Sequence, residues 1–273
     1  MSSIPFRAGR SLRSSVYLVV AALLGFSIWT PSSFAAEKER RAKAQSPEMP
    51  WLEDKDGTRL ELIERLLEQR ITNQALSIIT DLRNEGMTKP VLDLFQGLAL
   101  QQQGLTSEAE HLLVMARKKL PGDARPSASL CVLYADIERY EEALASCRRA
   151  TSIDKKNASA WNNYGYLLLF ASDRHDEALE ALQKAVNLDS TEERYRNNLG
   201  HAQVATGDPE EGLRTFMSTA TRSNAAYNVA VSLERFGATE DAILFYERAL
   251  QNEKEHTLAL EALARLTTSQ EDL

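Results

Sequence analysis

Residue patterns that carry catalysis are missing from this chain of 273 residues. It contains two cysteines and four histidines, with no HExxH pair and no cysteine–histidine cluster of the metal-binding kind. A phosphate-binding glycine loop and a dinucleotide-binding fingerprint are also missing from the sequence. We therefore predict that the protein is not an enzyme, has no catalytic residues, and holds neither a metal ion nor a cofactor.

A hydrophobic run long enough to span a bilayer is missing near the N-terminus. The apolar stretch from Val16 to Trp29 has 14 residues, whereas a membrane-spanning helix needs roughly 20. Arginines precede this stretch at positions 7, 10 and 13, and the small residues Ser33 and Ala35 follow it. This order predicts a secretory signal peptide in residues 1–35, cleaved between Ala35 and Ala36, with a retained anchor as the alternative. We expect an exported protein of the bacterial periplasm or envelope.

Positive charge is also in short supply. Removing the three arginines of the signal peptide from 32 basic residues leaves 29, against 39 acidic residues, so the mature chain carries a net charge of −10. Such a surface does not favour nucleic acid or anionic lipid. We expect membrane association only through partners or an uncleaved signal, and no small-molecule substrate. Residues 36–57 are charged, contain proline and show no periodicity, which predicts a flexible linker.

What the sequence does contain is a repeat. Small residues recur within a helical pattern at Ala75, Ala109, Ala143, Ala178, Gly212 and Ala242. The spacings are 34, 34, 35, 34 and 30 residues. Another small or apolar residue stands twelve or thirteen positions before each of them, as Gly165 does before Ala178. Small residues at such places let two antiparallel helices approach closely, so the pattern predicts stacked helix pairs.

This pattern resembles the tetratricopeptide repeat (TPR), most clearly in the stretches around Trp161, Gly165 and Ala178 and around Gly237 and Tyr246. The resemblance implies an all-α solenoid, a right-handed superhelix of antiparallel helix pairs spanning residues 58–267. The predicted units are 58–89, 90–123, 124–157, 158–192, 193–222 and 223–254, followed by a capping helix at 256–266 and a disordered tail at 268–273. The shortened fifth unit is similar to TPR proteins of tight-adherence (Flp) pilus assembly, although this chain lacks the lipid-bearing cysteine of that family.

Asparagines recur at one face of the predicted solenoid. When each unit is numbered so that the small residue of its first helix is position eight, Asn163, Asn198 and Asn228 fall at position six. In TPR proteins this position lines the concave groove, where an amide offers two donors and an acceptor. The predicted peptide-binding residues are these three asparagines together with Asn162, Tyr166, Arg194, Asn197 and His201. A ladder that grips a peptide backbone and a merely polar groove lining both remain open.

The two cysteines belong to the same predicted unit. Cys131 is in its first helix and Cys147 in its second, at positions that normally face the helix pair. A disulfide between them and two buried free thiols are both open. Together these features predict an exported scaffold that binds extended segments of partner proteins and supports assembly of an envelope, secretion or pilus complex. The alternative is a structural subunit of a multiprotein envelope machine with no free-peptide binding.

Overall fold

The computed structural model describes residues 57–271, with side chains up to residue 267. The predicted signal peptide, its cleavage site and nearly all of the predicted linker lie outside these residues. The described part of the chain forms thirteen α-helices. They are α1 (Gly57–Glu68), α2 (Thr72–Asn84), α3 (Val91–Gln102), α4 (Thr106–Lys119), α5 (Arg125–Asp136), α6 (Tyr140–Ile153), α7 (Ala158–Ala171), α8 (His175–Leu188), α9 (Glu193–Ala205), α10 (Pro209–Phe216), α11 (Arg222–Arg235), α12 (Thr239–Asn252) and α13 (Thr257–Glu271).

In chain order the helices make six units of a first and a second helix, α1/α2 to α11/α12; the two helices of a unit pack against each other from α3/α4 to α11/α12, and α13 packs on α12 as a cap. Three residues separate the two helices of every pair. First helices of adjacent pairs also contact each other, from α3 with α5 through to α9 with α11. Each pair packs mainly against the pairs next to it in the chain, which is typical of a solenoid. The predicted all-α TPR solenoid is therefore confirmed.

The turn within each pair repeats as regularly as the helices do. Its middle residue has a positive φ, between 51° and 89°, at Arg70, Gly104, Glu138, Asp173, Gly207 and Gly237. The spacings of these residues, 34, 34, 35, 34 and 30, match those of the small residues in the sequence. A left-handed residue reverses the chain at the end of the first helix, and glycine does so without steric cost. The one-residue insertion in the fourth unit is absorbed before this turn.

Small residues allow close contact inside each helix pair. A Cβ atom built on Gly165 would lie 2.6 Å from the Leu182 Cγ atom, and one built on Gly200 would lie 2.9 Å from the Phe216 ring. Cys131 and Cys147 occupy the same two positions of the third pair, and their Cα atoms are 5.0 Å apart. Two sulfur atoms therefore fill the space that a small and a bulky residue fill elsewhere.

The fifth pair is irregular because its second helix, α10, has only 8 residues, whereas α8 and α12 have 14 each. Asp208 caps this helix by accepting a hydrogen bond from the Glu211 backbone N–H at 2.9 Å. The buried apolar core also divides here, with Ala202 in the cluster that begins at Ile63, and Val204 in the cluster that ends at Leu266.

The capping helix is longer than predicted. It runs from Thr257 to Glu271, four residues into the segment assigned to a disordered tail. The sequence from Thr267 to Glu271 contains no glycine or proline, so nothing in it stops a helix already under way. In residues 57–271 no helix has the length and apolar character needed to cross a membrane.

Candidate peptide-binding groove

A concave depression of about 270 Å³ lies where the first helices α5, α7 and α9 meet. We call it the central depression. Five of the eight predicted binding residues line it, namely Asn162, Asn163, Tyr166, Arg194 and Asn198. The other lining residues are Cys131, Val132, Ala135, Asp136 and Leu167. Three consecutive units thus contribute to one site, as the repeat register predicts for residues that share a face.

Three asparagine amides form a hydrogen-bonded chain along the wall of the central depression. The Asn198 Nδ2 group donates to the Asn162 Oδ1 atom at 2.8 Å, and the Asn162 Nδ2 group donates to the Asn163 Oδ1 atom at 3.4 Å. Asn162 is only 2% exposed, whereas Asn163 and Asn198 are partly exposed. Asn162 is therefore an internal bridge, and the two outer amides are the ones that a ligand can reach.

The direction of this chain determines which atoms the outer amides present. Asn163 uses its carbonyl oxygen within the chain and Asn198 uses its Nδ2 group. The remaining groups are the Nδ2 donor of Asn163 and the Oδ1 acceptor of Asn198, which make no further hydrogen bond with the described residues. One donor and one acceptor match the carbonyl and the N–H of a peptide backbone.

Apolar and charged side chains surround the amides. Val132 and Tyr166 are 37% and 46% exposed, and the Tyr166 ring packs against Phe170 with a centroid separation of 4.8 Å. Arg194 and Asp136 are exposed and line the same depression from different helices. Val132 and Asp136 were not predicted as groove residues from the sequence. The repeat register does place Val132 at position nine of its unit, the position that Tyr166 occupies in the next unit.

Asn197 lies apart from the central depression although it is adjacent to Asn198. Its Oδ1 atom accepts a hydrogen bond of 2.6 Å from the Thr219 hydroxyl. Thr219 belongs to the segment that follows the short helix α10. This contact ties α9 to the end of its own unit, so we assign Asn197 to the stability of the fifth unit.

His201 is likewise committed to contacts between units. Its ring lies 5.9 Å from the Phe170 ring and 5.0 Å from the Phe216 ring. Its Nδ1 atom is 2.7 Å from the Ser232 hydroxyl oxygen, and that hydroxyl donates to the Asn228 carbonyl. The Nδ1 atom must then carry the proton and donate to Ser232. Burial, reinforced by the charge of Arg235, lowers the pKa of His201 to about 4, so the ring is neutral near pH 7.

Asn228 does not line the central depression. A separate concavity of about 380 Å³, the C-terminal depression, lies nearby and is lined by Tyr227, Val231, Glu234, Arg235, Tyr246, Ala262 and Arg265. Its polar groups already interact with one another. Glu234 forms an ion pair with Arg265 at 2.7 Å and accepts a hydrogen bond from the Tyr246 hydroxyl at 2.9 Å. Burial beside this carboxylate raises the pKa of Tyr246.

The structure joins Cys131 and Cys147 in a disulfide between α5 and α6. Cys131 lines the central depression, and both cysteines line a smaller concavity of about 100 Å³ behind it. Asn163 lines both concavities as well. The disulfide-bonded residues therefore lie beside Asn163 at the edge of the central depression.

The family comparison agrees with this architecture. The sequence matches the tetratricopeptide repeat family over residues 132–193 and 197–269. Fold and repeat register together define an α-solenoid of paired helices, and the chain is a member of the TPR proteins. TPR repeats are protein-interaction scaffolds, a class that is typically non-enzymatic. Among the described residues no group of three or more histidine, cysteine or acidic side chains is arranged to hold a metal ion.

Solved structures show the same fold at low sequence identity. The chain is similar to YrrB, described as a TPR protein with an unusual peptide-binding site, with 21% identity and a TM-score of 0.56 over 67% of this chain and 96% of that one. It is similar to MamA, with 19% identity and a TM-score of 0.50 over 61% and 92%. Pseudomonas aeruginosa pilF shares 25% identity over 67% of this chain and 85% of that one, with a TM-score of 0.47. No curated protein sequence matches the chain.

Proposed function

We propose that this chain is an exported scaffold that binds extended segments of partner proteins in its groove and supports assembly of an envelope, secretion or pilus complex. The observation that carries the binding proposal is the amide chain of the central depression. It leaves one donor, on Asn163, and one acceptor, on Asn198, facing the same concavity. These groups can pair with the backbone of any extended peptide, so the grip is tolerant of sequence.

The binding proposal is tested by combining Asn163→Ala with Asn198→Ala. Each lost hydrogen bond costs binding about 0.5–1.5 kcal/mol, so the double variant should bind peptides roughly ten-fold or more weakly. Folding stability should fall by about 0.5–1.5 kcal/mol, because Asn198→Ala removes the hydrogen bond to the buried Asn162, so affinities are compared at a temperature where the variant is fully folded. The measurement is titration of the purified chain with peptides selected from a random display library, alongside thermal melts. Asn187→Ala, an exposed asparagine on α8, is the matched control.

Two outcomes would count against groove binding. One is a folded double variant whose affinity for the peptides is unchanged. The other is an equal loss of affinity in the Asn187→Ala control, because that residue lies on a second helix away from the depression.

The export proposal has its own test. Ser33 and Ala35 are the small residues that a signal peptidase requires, so the exported chain should begin at Ala36. N-terminal sequencing of protein from the envelope fraction measures this directly. A chain that begins at Met1 and resists salt extraction from membranes would instead support an anchored protein.

A structural-subunit role is the second candidate, favoured by apolar side chains outside the groove. Leu244 on α12 and Leu258 and Leu260 on α13 are 60%, 52% and 46% exposed. Exposed leucines at the end of a solenoid can be covered by a fixed neighbour in a larger assembly. If so, Leu244→Glu and Leu258→Glu should abolish co-purification of the assembly, and Asn163→Ala with Asn198→Ala should leave it intact.

A further inference from the structure

The side chains around the amides differ in character along the central depression. Val132, Ala135 and Cys131 give the α5 wall an apolar surface, and Leu167 adds to it from α7. The third unit has no asparagine at position six, where Ser129 stands instead. The backbone-binding groups therefore lie on α7 and α9, and the space beside them is apolar.

Two unlike charges flank this apolar space. Arg194 is near the start of α9, and Asp136 is the last residue of α5. The Arg194 guanidinium lies over the Tyr195 ring, 5.5 Å from its centroid. Within residues 57–267, neither Arg194 nor Asp136 forms a salt bridge, so both charges remain available to a ligand.

We propose that the central depression recognises an extended partner segment with one large apolar side chain, an acidic residue on the Arg194 side and a basic residue on the Asp136 side. The inference rests on the proposed peptide binding and names the ligand of that same site. Asn163 donates to the C=O and Asn198 accepts from the N–H of one residue of the extended segment, and an adjoining side chain enters the concavity beside Val132. The amides position the segment, and the anchor and charges select it.

The C-terminal depression provides the internal contrast. Val231 stands at position nine there, as Val132 does in the central depression, and the two are 36% and 37% exposed. In that depression, however, Glu234 is already paired with Arg265 and Tyr246. Its one carboxylate is already engaged within the fold, so it offers a weaker partner for a basic residue of a ligand than Asp136 does.

The experiment uses the purified chain and short synthetic peptides based on the consensus from a random display library. The peptides differ only in the anchor residue, leucine or serine, and in the order of the two flanking charges. We expect the leucine peptide to bind at least ten-fold more tightly than the serine peptide. Val132→Asn should remove this preference, whereas the matched variant Val231→Asn should retain it. Arg194→Glu should abolish the preference for one order of charges, and Arg194→Glu combined with Asp136→Arg should reverse it.

The possible failures are distinguishable. Peptides that depend on Asn163 and Asn198 but bind equally with leucine or serine would overturn the anchor inference and leave backbone binding standing. An unchanged preference in both Val132→Asn and Arg194→Glu would overturn it in the same way. If the library yields no binding peptide, or if Asn163→Ala with Asn198→Ala binds as well as wild type, the proposed function and this inference fail together.

Discussion

Removing the bridging asparagine tests whether the amide chain exists as described. Asn162 is 2% exposed and accepts a 2.8 Å hydrogen bond from Asn198. Its second bond, to Asn163, is long at 3.4 Å and should contribute less. Asn162→Ala loses about 1–2 kcal/mol from these bonds and from the space left behind, and it regains a few tenths of a kcal/mol or more through better helix propensity. We expect a net destabilisation of about 1 kcal/mol.

A double-mutant cycle isolates the pairwise contribution. Asn162→Ala and Asn198→Ala remove the same hydrogen bond, so their effects should not add, and the coupling should be about 0.5–1.5 kcal/mol. Asn197 supplies the control because it is next to Asn198 in the chain but bonds to Thr219. The cycle of Asn162→Ala with Asn197→Ala should show coupling near zero.

The assay is urea unfolding followed by circular dichroism, with thermal melts in parallel. For a domain of this size, 1 kcal/mol corresponds to about 2–4 °C in melting temperature. Asn162→Ala should also weaken peptide binding without touching the peptide, because Asn163 and Asn198 lose their shared support. Equal coupling in the two cycles, or none in either, would refute the amide chain.

Three further predictions concern stability. Ala178→Leu, at a fully buried position where two helices nearly touch, should lower the free energy of unfolding by about 1–3 kcal/mol. Ala158→Leu, at a half-buried site, should lower it much less. Equal shifts in melting temperature for the two variants would contradict the repeat register. The loop closed by Cys131 and Cys147 spans 16 residues, so replacing both with serine should lower the free energy of unfolding by about 3 kcal/mol in the loop-entropy model. Two alkylatable thiols in unreduced, exported protein, detected by mass spectrometry, would contradict the disulfide. The folded-state pKa of His201, about 4, lies below the unfolded value of about 6.5, so its contribution to stability is present above pH 6.5 and is lost as pH falls toward 4. His201→Gln should therefore flatten the dependence of the unfolding free energy on pH between about 6.5 and 4. An unchanged pH profile would contradict a buried, neutral His201.

The repeat register was the part of the fold that sequence could predict, because it depends on local close packing. Gly165 and Ala178 are small where helices meet, and this requirement recurs in every unit whatever the ligand may be. The register also gave the helix face of Asn163 and Asn198, and both line the central depression. The repeat register did not predict that Asn162 is buried. Whether a residue at the edge of a helix face is covered depends on how closely the next unit approaches.

The short helix α10 explains why equivalent register positions have different surroundings. With only 8 residues in α10, the fourth and sixth units meet across the fifth, and Phe170 stacks on Phe236 at 6.1 Å. His201 shares position nine with the exposed Tyr166, but it is only partly exposed and packs against the Phe170 and Phe216 rings. The spacing of 30 residues signalled that the fifth unit was truncated, but not which side chains the truncation would enclose. Tyr166 lines the central depression, whereas His201 packs against the Phe170 and Phe216 rings, so the open part of the groove includes the position-nine residue of the fourth unit and excludes that of the fifth.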